Sequence, residues 1–155
     1  MDKIYMSEAI ALARRGVERG DGGPFGAVIV KDGQIVGRGW NRVVGRNDPT
    51  AHAEMEAIRD AAQHLGQFHL EGCQLFSSCE PCPMCLSAAY WAHIEQIYFA
   101  ASEQDAAEIG FDDRFIGEEL SKPPRDRTIK ARQIQREEAL EVFAQWREST
   151  IKRPY

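Results

Sequence analysis

Gln74-Leu75-Phe76-Ser77-Ser78-Cys79-Glu80-Pro81-Cys82-Pro83-Met84-Cys85 decides the fold. It opens as a short apolar strand, Gln74–Ser78, and breaks at Pro81, which fits a helix N-terminus. The helix is expected from about Cys82 to His93, and Ile97–Ala101 reads as the next strand. Strand, helix and strand at this spacing predict a parallel βαβ crossover. Upstream, Phe25–Lys31 and Gln34–Trp40 flank the turn residues Asp32-Gly33 and read as a hairpin. Met6, Ile10, Ala13 and Val17 recur at helical spacing before Gly20, and Ala53, Ala57, Ile58, Ala61 and Leu65 do so before Gly66. Asn41–Thr50 reads as a loop. Beyond Ala106 the pattern weakens: a short helix broken at Gly110 and Gly117, a stop at Pro123-Pro124, a strand at Arg132–Gln135, and a last helix over Glu137–Glu148 with Leu140, Phe143 and Ala144 inward. The expectation is a single three-layer α/β/α domain over 1–155, with a mixed central sheet of about five strands.

The chain has 155 residues, 43% hydrophobic and 28% charged, enough to bury a continuous core. No apolar run approaches a membrane span, and the N-terminus lacks the pattern of a signal peptide. The net charge of -5 argues against a nucleic-acid partner. Three of the four cysteines crowd into residues 79–85, which points to metal or redox chemistry in a reducing, cytoplasmic setting.

Two segments carry that chemistry. Cys82 and Cys85 stand three apart at a helix start, so both sulfurs reach one point, and a helix N-terminus favours thiolates. His52-Ala53-Glu54 opens the other helix. One imidazole and two thiolates make a three-ligand Zn²⁺ site whose fourth position is left to water, with the pKa of that water lowered. Glu54, two residues past His52, is placed to take the water's proton and return it to the substrate. This H-x-E…P-C-x-x-C pattern is the known signature of zinc deaminases. A redox Cys pair and a closed structural site that also uses Cys79 remain as alternatives. Cys73 and Cys79 read as small buried hydrophobes, and His64, His69 and His93 fit no second metal cluster.

These motifs resemble the cytidine deaminase-like superfamily of zinc hydrolases, with similarity from Gly22-Gly23-Pro24-Phe25-Gly26-Ala27 to Tyr155. Asn47–Glu54 is similar to both the guanine and the tRNA adenosine branches, and Gly39-Trp40-Asn41-Arg42 to the tRNA enzymes. Asp105–Asp113, Glu80–Trp91 and Lys152-Arg153-Pro154-Tyr155 resemble the bacterial guanine branch. The resemblance implies one zinc per chain held by His52, Cys82 and Cys85, with Glu54 as proton shuttle. It implies hydrolysis of guanine to xanthine and ammonia, the attack being expected at purine C6. It places Asn41 on the purine ring, Phe25 on the base face, Ala53 at the substrate, and Asp113 (or Asp112 beside it) on the edge bearing the ring N–H and 2-amino group. It further implies a homodimer in which a swapped C-terminal segment, about 137–155, brings Tyr155 over the partner's site. A tRNA-specific adenosine deaminase and a guanosine deaminase are the alternatives.

Overall fold

A computed structural model describes all of residues 1–155 and divides them into two compact units, Met1–Arg114 and Phe115–Tyr155. The first unit is built on a four-stranded sheet in the order β2-β1-β3-β4. Its strands are β1 (Gly26–Lys31), β2 (Gln34–Trp40), β3 (Cys73–Cys79) and β4 (Gln96–Ala101). β1 lies antiparallel to β2 and β3, while β3 and β4 are parallel, as their helical connection requires. The hairpin turns at Asp32 and Gly33, both at positive φ, the backbone that a tight two-residue turn demands. The fifth strand expected at Arg132–Gln135 does not form: only Ile134 there favours a strand, and Gln135 adopts a left-handed conformation.

Helices cover both faces of the sheet. α1 (Asp2–Arg19) ends at Gly20, whose φ of 68° and two backbone N–H donations to Gly16 and Val17 close it. It packs Leu12 against Val28, Val30 and Phe76. The buried stripe is Ala9, Leu12, Ala13 and Gly16, rotated from the expected one, so that Ile10 and Val17 are exposed. Small residues win this face because the neighbouring backbone comes so close. A Cβ on Gly26 would lie 2.0 Å from the Ala9 carbonyl oxygen, and one on Gly16 would lie 2.8 Å from the Trp40 ring.

On the opposite face lies α3 (Ala53–Leu65), preceded by the short α2 (Val43–Arg46) inside the expected loop. Ala53, Ala57 and Ala61 are fully buried against Ala27, Ile29 and Leu75. The contact depends on β2 having no side chain there: a Cβ on Gly39 would stand 2.3 Å from the Ala53 carbonyl oxygen, and one on Gly37 would stand 2.4 Å from that of Ala57. Gly39→Ala is therefore expected to push the first turn of α3 off the sheet and to cost about 1–3 kcal/mol in urea denaturation. α4 (Pro83–Trp91) starts one residue later than the sequence suggested, with Cys82 as N-cap and Pro83, not Pro81, at its first position. α5 (Glu103–Glu108) begins with a reciprocal capping box between Ser102 and Asp105.

The second unit contains most of α6 (Arg114–Ser121), a 3-10 turn at Pro124–Asp126, and α7 (Arg136–Glu148). Arg127 donates to the carbonyls of Glu119, Leu120 and Lys122 and so satisfies the end of α6. The apolar face expected of α7 is present but uncovered: Phe143 is 70% exposed and Trp146 50%.

Candidate active site

The site gathers where α3, α4 and the carboxyl end of β3 begin or finish. Ligands favour that end of parallel strands, because free helix N–H groups point into the space beyond the sheet. His52 is the N-cap of α3 and Cys82 the N-cap of α4, each in extended backbone, which turns its side chain away from its own helix and toward the gap between them. His52 Nδ1 lies 3.5 Å from Cys82 Sγ and 3.5 Å from Cys85 Sγ. Of the four cysteines only these two share a potential metal-binding cluster with His52.

The donor set fits Zn²⁺. Tetrahedral ligands about 2.0–2.3 Å from the ion stand roughly 3.5 Å from one another, the separation already present here. The thiol electrostatics agree. A hydrogen bond from Cys85 and a second contact with His52 hold the Cys82 thiol down to about 4. Cys85, hydrogen-bonded to that thiolate and buried beside Glu54, is pushed up instead. The pair thus keeps one negative charge, and a dication would draw out the second. The contact with Cys82 raises the His52 pKa.

Cys79 takes no part. It is 7% exposed, its Sγ lies 3.6 Å from the Ser102 carbonyl oxygen, and burial pushes its thiol up to about 11. This removes the closed four-ligand alternative. In metal-free protein, iodoacetamide at mildly acidic pH is expected to modify Cys82 ahead of Cys73 and Cys79, with Zn²⁺ blocking the reaction; peptide mass mapping reads both outcomes.

Glu54 is 6% exposed, and burial raises its carboxyl pKa. Ser77 Oγ donates to its Oε1 at 3.3 Å, and Cys85 Sγ lies 3.4 Å from its Oε2. A carboxylate held close to the metal-binding thiols and reluctant to stay charged is suited to carrying a proton. Ser77 was absent from the sequence reading. It occupies an ordinary strand position, and only the fold brings it to Glu54.

The remaining candidates surround this centre. Asn41 is 4% exposed, and its Oδ1 accepts from the backbone N–H of Gly23 and of Val43. Those two donors fix the amide, leaving its NH₂ to point elsewhere. A Cβ on Gly22 would fall 2.1 Å from Asn41 Oδ1, so the Gly22-Gly23 pair is what admits this side chain. Phe25 meets Phe111 edge-on, with ring centroids 5.0 Å apart; Phe111 is another residue the sequence left unmarked. Ala53 is fully buried in the core, so any role at the site belongs to its backbone.

The two neighbouring aspartates differ sharply. Asp112 is bound by the Arg114 guanidinium at 2.6 and 2.8 Å, which holds its carboxyl down at about 2. Asp113 has a buried Oδ1 without a hydrogen-bond partner. Burial, then the Cys82 thiolate, raises its pKa. Tyr155 belongs to the second unit and is 74% exposed. One sequence reading is corrected here: His69 and His93 do form a second potential metal-binding cluster, together with Glu71.

A carboxylate beside an imidazole and two thiols, at the meeting of two helix starts, defines a metal-dependent hydrolase centre. The chain belongs to the cytidine and deoxycytidylate deaminase family: its zinc-binding region matches residues 1–101. The guanine deaminase of Bacillus subtilis (strain 168) is 52% identical over 153 residues, covering 99% of this chain and 98% of the relative. A crystal structure of Bacillus subtilis guanine deaminase superposes with a TM-score of 0.95 at 51% identity, covering 99% of this chain and 98% of that one. The tRNA-specific adenosine deaminase of Aquifex aeolicus (strain VF5) is 41% identical over 102 residues, covering 66% of this chain and 67% of the relative.

Proposed function

We propose that this protein hydrolyses guanine to xanthine and ammonia, a step in the catabolism or salvage of free purines. Full-length similarity to a guanine deaminase supports this reading, and one structural observation carries the choice of base: the buried, unpartnered Oδ1 of Asp113 within electrostatic reach of Cys82 and His52. A carboxylate accepts two hydrogen bonds side by side. Guanine offers such a pair in its ring N–H and 2-amino group, and adenine does not. Leaving a buried acceptor unpaired is costly, so the same group that welcomes guanine rejects adenine. The amide of Asn41 would donate to an acceptor on the ring, and Phe25, braced by Phe111, would pack on its face.

The point of attack must be C2 and not C6. Guanine carries its exocyclic amine on C2, whereas C6 bears oxygen, so exchanging the amine for oxygen to give xanthine happens at C2. Zinc held by His52, Cys82 and Cys85 would lower the pKa of a water and make it a nucleophile near neutral pH. Glu54 takes a proton from the attacking water and delivers it to ring N3, next to the reacting carbon. The water's second proton then moves, again through Glu54, to the C2 amine. The C–N bond breaks and ammonia leaves. Asp113, on the N1–H and 2-amino edge, would hold the leaving nitrogen in place.

We propose further that residues 1–155 act as one deaminase domain within a homodimer, and that the segment of about 137–155 lies on the partner and sets Tyr155 over its site. The uncovered apolar side chains support this: Phe143 and Trp146 on α7, Tyr90 and Trp91 on α4, and Phe99 on the edge strand β4. Mixing Glu54→Gln chains with Tyr155→Ala chains should recover about a quarter of wild-type turnover, because random twofold pairing assembles one intact site in half of the dimers. No recovery despite subunit exchange contradicts the swap. The four free cysteines suit a reducing cytoplasmic setting, and no helix is long and apolar enough to cross a membrane.

Chromatography of a reaction of the zinc-loaded protein with guanine tests the activity. Xanthine appearing in step with ammonia supports it; guanine recovered intact overturns it.

A further inference from the structure

We propose that His69, Glu71 and His93 form a second metal site, specific for a divalent transition ion such as Zn²⁺, at the opposite end of the parallel strands from the deaminase centre. β3 runs from this cluster toward Cys79, so its seven residues separate the two places by about 20 Å.

Three potential ligand atoms, one from each residue, lie within 4.8 Å of one another. Glu71 Oε1 lies near both imidazoles, 4.0 Å from His69 Nδ1 and 3.7 Å from His93 Nδ1. Ligands around a bound zinc ion are roughly 3.3 Å apart, so the three atoms must close in from within 4.8 Å and the two stacked rings must swing apart until both Nδ1 lone pairs converge on the ion.

The cluster is set on fixed backbone. It joins the segment ahead of β3 to the segment ahead of β4, and four hydrogen bonds hold them, three between the segments and one within the first. Leu70 N–H donates to the Ala92 carbonyl at 2.7 Å, Cys73 N–H to that of Leu70 at 3.0 Å, Glu95 N–H to that of Cys73 at 3.0 Å, and Gly72 N–H to Glu95 Oε1 at 3.0 Å. His93 adopts a left-handed backbone, φ 59°, which turns it out of the end of α4, and its N–H is held by Tyr90. Its ring stacks on His69 at a centroid distance of 4.1 Å, and Phe68 braces His69 edge-on at 4.8 Å. His69 Nε2 is buried without a partner, which leaves Nδ1 as the nitrogen of that ring open to a ligand. Backbone ties thus hold the three residues close together before any ion arrives, which reduces the cost of binding.

Two imidazoles and one carboxylate favour Zn²⁺, Cu²⁺ or Ni²⁺ over Mg²⁺ or Ca²⁺, which prefer all-oxygen sites. An ion here would staple the approaches to β3 and β4, and β3 carries Ser77 and Cys79 toward its far end. It would stabilise the fold by mass action without entering the reaction.

The test uses full-length protein with its deaminase centre already zinc-filled. Zn²⁺ is titrated calorimetrically, and metal per chain is counted after equilibration at fixed free Zn²⁺. Wild type is expected to take up a second equivalent. Glu71→Gln and His93→Asn should lose it, with affinity falling about 10- to 100-fold and ammonia release unchanged; Asn is chosen because it tolerates the positive φ. Cu²⁺ bound at the second site should show coupling to nitrogen in its electron paramagnetic resonance spectrum. A wild-type protein that takes up no second equivalent overturns the proposal. So does a second equivalent that binds equally well to both variants.

Discussion

Glu54→Gln is expected to lower kcat by about 10²- to 10⁴-fold, the contribution of a positioned general acid–base. Zinc content should stay at the wild-type level, because His52, Cys82 and Cys85 are untouched. The amide matches the carboxyl in shape and can still accept from Ser77 Oγ, which lies 3.3 Å from Oε1. It cannot carry a proton between water, ring and amine. Burial already disfavours the charged form of this side chain, so a neutral replacement should leave the unfolding temperature at or above that of wild type. Lost turnover with retained metal and fold separates a proton carrier from a structural side chain. If the variant lost zinc or unfolded early, Glu54 would be holding the site together instead.

The second large effect falls on Asp113→Asn. Replacing one oxygen by NH₂ removes an acceptor and turns a donor toward guanine's donors. Two charge-assisted hydrogen bonds are at stake, at about 1.5–3 kcal/mol each, so kcat/KM for guanine should fall roughly 10²- to 10⁴-fold. Asp112→Asn should change little, since that side chain is engaged with Arg114. The pH profile provides an independent check. Burial, then the Cys82 thiolate, raises the Asp113 pKa. As pH falls through that raised value the carboxylate gains a proton and loses its paired acceptance. Wild-type kcat/KM for guanine should therefore decline on the acid side at a pH above the ordinary aspartate value, and Asp113→Asn should lack that limb.

Much of this centre was legible in the sequence because its signals are local. His52-x-Glu54 and Cys82-x-x-Cys85 place their chemistry within one helix turn each, and Gly66 marks a helix limit through backbone geometry. What stayed hidden depends on long-range approach. The α1 stripe was misread because hydrophobicity favoured Ile10 and Val17, whereas the close backbone of Gly26 admits only small residues such as Ala9 and Ala13. The fifth strand failed because only Ile134 of Arg132–Gln135 favours a strand and Gln135 adopts a left-handed backbone, and α7 shows an exposed apolar face. The cluster of His69, Glu71 and His93 spans two segments 22 residues apart that meet only once β3 and β4 pair. The choice between Asp112 and Asp113 needed Arg114's geometry.

Ammonia release by the zinc-loaded protein, with guanine, guanosine, adenine, cytosine and a tRNA anticodon stem-loop compared side by side, tests the central claim most directly. The account predicts rapid turnover of guanine and rejection of adenine by about 10⁴-fold, as expected of a site that leaves a buried acceptor unpaired. Turnover of the RNA with silence on guanine would contradict it.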